Sequence, residues 1–360
     1  MDGKTLGERI AAERIRHGLT QDNLAGRVGI ERTALGKIEK GDRKVSALEL
    51  VNIAASLETP LAWFVRDPLP AVIGRRTDAA PSHETTESLD RALELFAGDV
   101  ASLITSGVIT SVDDRPAWDT PQSYLDCERI AGEVRAHLNV GSGPLYELAG
   151  IAEQFGLYSC SLPLGGGGAD GALVWVNDGC AAAVIDGSVK PGRRRMTLAH
   201  EMGHWLFGDM FDSKADDAER MINAFAAYLL APRAGVTEMW NRHARDQVRD
   251  RAIRVAGTYR MSWSAVLLHL RNLNLITEDQ YRSLDGRTPV SGEFARLAIP
   301  RDTDELRAPS LSPTMTAKIV DAYVDRRMPA ARVVELLRDG LTEDELPPQR
   351  LETATDYASL

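Results

Sequence analysis

The chain has 360 residues, 44% of them hydrophobic and 26% charged, and a formal net charge of −10. This is globular composition with length for two or three domains. With no run near eighteen apolar residues, and no apolar core in MDGKTLGERIAAERIRHG, neither a membrane span nor an export signal is expected. Three scattered cysteines (Cys127, Cys160 and Cys180) match no metal-ribbon spacing and no disulfide framework, so buried thiols in a reducing cytoplasm are expected.

Residues 5–64 read as a run of short helices, with Leu6, Ile10, Leu24, Ala25, Val28, Leu35, Ile38, Leu50, Ile53 and Leu57 at three-to-four-residue spacing. Within LTQDNLAGRVGIERTALGKIEKGDR, Thr20 is a helix N-cap and Ala25 is small where two helices cross. Gly29 sits at a tight turn, and Ile30, Leu35 and Ile38 anchor the following helix. Residues 1–66 carry 11 Lys and Arg against 9 Asp and Glu, a net of +2, which leaves −12 for the rest of the chain. A slightly basic head on an acidic body permits DNA binding. The segment resembles the Cro/repressor-like (XRE) helix-turn-helix family. That resemblance implies a recognition helix over 31–40, with Arg32, Thr33 and Lys37 facing the major groove of a double-stranded operator. It also implies Gln21 and Arg43 or Lys44 on phosphates, Glu39 in a structural role, and a homodimer on a palindromic site.

Residues 67–90 (DPLPAVIGRRTDAAPSHETTES through the start of the next helix) mix Pro, Thr, Ser and charge without an apolar period and read as a linker. An amphipathic helix follows over 89–105, then a polar stretch over 110–121, so 67–121 is expected to be a linker bearing one helix. From 122 the pattern becomes α+β: helices over 123–139 and 144–155, then strands 157–162, 172–176 and 181–185. The glycine run 165–168 reads as a loop, because no helix start or Lys-Ser/Thr follows it. Pro191 opens a helix that Gly208 can close, and a further helix over 215–231 stops at Pro232.

The first of these two helices contains HEMGH, His200 to His204. Positions i and i+4 share a helix face, so the two imidazoles can bind one ion, and Glu201 stands where a carboxylate can take a proton from activated water. A catalytic zinc ion needs a third protein ligand. Glu219 on the next helix is the leading candidate; Asp209, Asp212, Asp216 and Asp217 are rivals whose clustering also suits a solvated turn. Asn223, one turn beyond Glu219, is placed to orient a ligating histidine. Tyr228, or an arginine from 193–195, is a candidate donor to a tetrahedral oxyanion, and each also suits a purely structural role.

RRRMTLAHEMGHWLFGD followed by ERMINAFAAYLLAP resembles the ImmA/IrrE family of zinc metallopeptidases over roughly 122–275. Met196 and Ile222 depart from the family's usual Phe and Ala, and neither touches the proposed chemistry. The resemblance implies a zincin-like domain over 122–276 with Zn2+ on His200, His204 and Glu219, and Glu201 as general base. It also implies a protein substrate, a helix-turn-helix repressor, whose cleavage releases phage, mobile-element or stress-response genes. The segment 255–276 resembles a helix-turn-helix-like element that completes this domain, and 277–360 reads as a helical extension without assigned chemistry. The fold class expected is α+β, mostly α: an all-α head, a metallopeptidase domain with a small three-stranded sheet, and a helical C-terminal region. Three functions compete. One is a DNA-tethered endopeptidase that cleaves a separate repressor or its own chain in the exposed 67–90 segment. The others are a non-proteolytic transcription factor that senses a metal, ligand or partner, and an antitoxin-like interaction protein.

Overall fold

The computed structural model describes residues 2–59, 61–65, 74–76, 83–165, 169–208, 216–300, 304–338 and 340–350. Most of the expected linker 67–90, the turn 209–214 and Gly166 to Gly168 therefore lie outside the described residues. The chain divides into two compact units, Met1–Leu69 and Pro70–Leu360.

The first unit is all-α: α1 Gly3–Arg16, α2 Gln21–Val28, α3 Arg32–Glu39, α4 Ala47–Ser56 and α5 Leu61–Val65. The expected punctuation is in place. The Thr20 side chain accepts from the Asn23 N–H, and Gly29 ends α2 in the left-handed region at φ 73°. Ile10, Leu24, Ala25, Leu35, Ile38, Ile53 and Phe64 form its core. Transfer of each large aliphatic side chain into that core is worth about 1.5–3 kcal/mol. The crossing of α1 over the end of α3 depends on Gly7, where a Cβ would lie 2.2 Å from the Ile38 carbonyl oxygen.

The second unit is α+β. In chain order it runs β1 Gly74–Arg76, α6 His83–Thr105, α7 Tyr124–His137, α8 Leu148–Glu153, β2 Leu157–Leu162, β3 Gly171–Asn177, β4 Cys180–Asp186, α9 Pro191–Phe207 and α10 Asp216–Leu230. There follow α11 Arg233–Arg242, α12 Val248–Thr258, α13 Trp263–Asn272, α14 Glu278–Leu284, α15 Ser291–Arg296, β5 Ser310–Leu311, α16 Pro313–Val324 and α17 Ala330–Leu336. The three expected strands form the centre of a five-stranded sheet of order β1-β3-β4-β2-β5. Pairing of β2 with β4 is parallel and the other pairings are antiparallel. The two edge strands were not legible as strands, being three and two residues long with no apolar alternation.

Strand β4 is buried along its whole length. Leu173, Ala181, Ala183 and Ile185 join the core that contains α9 and α10. The alternate positions Ala172, Val174, Ala182 and Val184 are equally buried, as period-two geometry requires of a sheet covered on both faces. Helix α6 packs on β3 and β4 with Leu89, Leu93, Phe96, Ala97 and Val100 all buried. The helix expected within a linker is thus a layer of this unit.

The C-terminal region is similarly built in. Ser312 accepts from the Ser159 N–H at 2.8 Å and returns a backbone bond at 2.9 Å, extending the β2–β5 pairing. Asp99 of α6, with its side chain 6% exposed, accepts from Arg332 at 2.8 Å and Arg338 at 2.6 Å. Cys127, Cys160 and Cys180 are all buried and free, and burial pushes their thiols up to about 11, 12 and 12. They are inert, as the sequence suggested.

Candidate metal centre and nucleic-acid interface

Helix α9 starts at Pro191 and stops at Gly208, which adopts φ 66°. All of Arg194 to Phe207 is buried, so the HEMGH turn sits inside the unit rather than on its surface. Helix α10 crosses it closely because Gly203 offers no side chain; a Cβ there would stand 3.0 Å from Ile222 and 3.1 Å from Phe225. That crossing brings the Glu219 side chain to α9.

His200, His204 and Glu219 converge, with one ligand atom of each within 4.8 Å of the others. The two Nε2 atoms are 3.0 Å apart, and the Glu219 carboxylate lies 3.2 Å from His200 Nε2 and 3.6 Å from His204 Nε2. The edges of a tetrahedron around an ion with bonds of about 2.0–2.1 Å are roughly 3.3 Å, so two imidazoles and a carboxylate at these separations fit zinc. Both histidines are fully buried, whereas the Glu219 side chain is 43% exposed, leaving the centre approachable from the carboxylate side.

The orientation of His200 follows from Asn223. Its amide nitrogen donates to the Glu219 carbonyl at 2.9 Å, and a carbonyl can only accept. The amide oxygen is therefore the atom 3.2 Å from His200 Nδ1, which must carry the proton. The Nε2 lone pair is left pointing at the cluster, as a metal ligand requires. Burial pushes His204 down to about 3, and repulsion from His200 acts in the same direction, so its ring is neutral at physiological pH. Glu201 is fully buried beside His200 on α9.

Other sequence candidates go elsewhere. Asp217 is exposed and pairs with Arg220 at 3.4 Å, outside the cluster. Asp209 and Asp212, and the Asp216 side chain, lie outside the described residues. Tyr228 packs edge-on against His269 with ring centroids 5.0 Å apart. Its hydroxyl meets Arg233, which is paired to Glu128 at 2.7 Å, so its described contacts do not include the three converging side chains. The arginines of the α9 start are committed to the fold. Arg193 bonds Asp170, Arg194 bonds the Gly187 carbonyl, and Arg195 reaches Glu305 and the Leu145 carbonyl. Glu305 itself was invisible to sequence reasoning. It also bonds the Leu148 N–H at 2.8 Å and Arg260 at 3.2 Å, tying three helix ends together across the expected domain boundary at 276.

In the first unit, Arg32, Thr33 and Lys37 are exposed on α3, opposite Leu35 and Ile38. Gln21 is engaged internally: its amide donates to Glu39 at 2.7 Å. Glu39, 8% exposed, also takes Arg14 at 2.6 Å, which is the structural role expected of it. Arg43 pairs with Glu49 at 2.8 Å in a partly exposed contact, while Lys44 is exposed.

Residues 10–64 match the model of a helix-turn-helix family, and residues 152–271 match the model described as the IrrE N-terminal-like domain. Over 62 residues the chain is 34% identical to an "uncharacterized transcriptional regulator in ATPase CF(0) region" of Rhodospirillum rubrum, covering 17% of this chain and 57% of that protein. Over 62 residues it is 36% identical to an "uncharacterized HTH-type transcriptional regulator" of Sinorhizobium medicae, covering 17% of this chain and 45% of that protein. The chain thus spans about half the length of the curated relatives it matches. The structure of Bacillus thuringiensis PlcR with the peptide PapR7 and DNA aligns over 92% of this chain at 11% identity, with a TM-score of 0.19, too low to signify a shared fold. Among the described residues no helix is long and apolar enough to cross a membrane. The chain joins an XRE-type helix-turn-helix domain at its N-terminus to a metallopeptidase-family domain of the IrrE/ImmA type.

Proposed function

We propose that this protein is a DNA-binding transcriptional regulator whose second unit is a zinc-dependent endopeptidase, acting on a repressor-type protein or on its own chain. The observation that carries the reading is the meeting of His200, His204 and Glu219 on two crossing helices, with Asn223 fixing the ring of His200. His200, His204 and Glu219 would hold the zinc ion, which would supply Lewis acidity toward a peptide carbonyl and an attacking water. Glu201 takes the proton of the attacking water on its carboxylate and returns it to the leaving amine nitrogen. The burial of α9 around Glu201 excludes bulk water, which strengthens every charge interaction made there. In the first unit, Arg32, Thr33 and Lys37 read base edges of an operator while Lys44 meets phosphate. Gln21 and Arg43 reach phosphate only by leaving Glu39 and Glu49. The dimer expected of such heads places two copies of α3 on one palindromic site.

The experiment is mass spectrometry of the purified chain with zinc, alone and mixed with helix-turn-helix repressors from neighbouring genes. Fragments should form with the native chain, and Glu201→Gln should slow their formation about 10²–10⁴-fold while zinc and DNA binding persist. A regulatory response that is indifferent to this substitution assigns the domain to sensing instead.

A further inference from the structure

Beside the metal cluster lies a cavity of about 1200 Å³ between the start of α9, α10, and the α12–α15 helices. Asn223, which orients His200, forms part of its wall, and so does Arg220, the neighbour of Glu219. Its surface is of two kinds. Met196, Ala224, Ala227, Met261 and Trp263 make an apolar floor, and Leu268 at the rim is 43% exposed, an uncommon state for a leucine that points into a hollow. The charged groups of the wall are Lys190, Arg193, Arg220, Arg260 and Arg271, against the single carboxylate of Asp285.

Not all of that positive charge is available. Arg193 is matched by Asp170, and Arg260 by Glu305, a carboxylate it shares with Arg195. Three cations remain to act on a ligand. Lys190 is exposed and makes no ion pair among the described residues. The carboxylate partners of Arg220 and Arg271 are exposed, Asp217 at 3.4 Å and Glu278 at 3.3 Å, and hold them weakly, while Arg271 also lies 4.6 Å over the Tyr281 ring of the same wall. Neither Asp217 nor Glu278 lines the cavity, so among its lining residues the cations outnumber the one carboxylate, Asp285, although the whole chain carries −10.

We propose that this cavity is the substrate-seating cleft, and that it selects a polypeptide segment in which a bulky apolar side chain is flanked by carboxylates. The apolar side chain packs on Leu268, Met261 and Trp263; the flanking carboxylates meet Lys190, Arg220 and Arg271. This deepens the endopeptidase reading and rests on it for the word substrate, while the recognition itself is independent of any metal. Local charge complementarity of this kind chooses partners and speeds encounter even when it adds modest affinity.

The test measures binding first and cleavage second. The full chain, stripped of metal with chelator, is titrated against a fluorescein-labelled decapeptide alternating Glu and Leu, and against a twin alternating Lys and Leu. Fluorescence polarisation should show the acidic peptide binding about tenfold tighter, with the preference shrinking as salt is raised. Leu268→Glu should weaken the acidic peptide, and the exposed double reversal Lys190→Glu with Arg271→Glu should erase or invert the preference; melting curves check that both variants fold. Equal binding of the two peptides, or indifference to both sets of substitutions, overturns the assignment. Zinc is then restored. Selective binding without cleavage leaves the cleft standing and removes the hydrolase; cleavage without selectivity does the reverse.

Discussion

Replacing Asn223 by Ala tests the metal centre without touching a ligand. The native amide makes two bonds, to His200 Nδ1 at 3.2 Å and to the Glu219 carbonyl at 2.9 Å. Loss of a partner that orients a ligating histidine lowers metal affinity about 10–100-fold. Zinc at a free concentration of about a thousand times the native Kd stabilises the folded chain by about 4.1 kcal/mol. At the same concentration the variant retains only about 1.4–2.7 kcal/mol of that stabilisation. At about 2–4 °C per kcal/mol for a unit of this size, the zinc-induced rise in melting temperature should shrink by roughly 3–11 °C. Differential scanning fluorimetry across a buffered zinc series reads this directly, with the metal-free variant as its own baseline for the roughly 1 kcal/mol lost per hydrogen bond. Asn223→Asp retains the acceptor and should keep most of the zinc response. A full response in the alanine variant would refute the claim that this amide aims the His200 ring.

Three further outcomes follow from buried charge. Asp99→Ala takes the shared acceptor from Arg332 and Arg338, leaving Arg332 only its Glu335 partner, and should cost about 3 kcal/mol, seen as a lower urea midpoint and as early proteolysis near α17. His269 is nearly fully buried, donates to the Ala231 carbonyl at 2.7 Å, and is pushed down to about 4 by burial. The unfolded chain takes up that proton first, so stability contributed above about pH 6.5 falls as pH drops towards 4, by up to about 3 kcal/mol; His269→Gln should flatten that slope in a urea-melt series. In the first unit, Glu39→Ala leaves Arg14 and Gln21 without their shared acceptor. It should lower that unit's stability by about 3 kcal/mol, whereas Lys37→Ala should leave the melt unchanged and weaken operator binding in a gel-shift titration.

What the sequence disclosed and what it withheld differ in physical kind. Local chemistry was legible: Thr20 as a cap, Gly29 at a left-handed turn, Pro191 and Gly208 bounding α9, and the i to i+4 spacing of His200 and His204. Glu219 and Asn223 were within reach because they lie one turn apart on the next helix. Contacts between residues remote in the chain were not legible. Glu305 joins Arg195 across 110 positions and Asp99 joins Arg338 across 239, and neither carboxylate stands in a pattern that marks it. For the same reason the region after 276 read as an extension, although β5 and Glu305 make it part of the second unit. The role of Gln21 turned on whether Glu39 was near enough to capture it, which only the α2–α3 packing decides. The cavity, assembled from seven helices, has no linear signature at all.

The sheet's outer strand at Ser310–Leu311 has a bearing on how the protein is made. On the ribosome the N-terminal head emerges and can fold once its first seventy or so residues are free. The second unit must wait, because the edge strand of its sheet, and the arginines that latch α6, are synthesised only after residue 300. A nascent polypeptide therefore carries a folded helix-turn-helix unit before it carries a finished second unit, which separates the two in time within a single molecule.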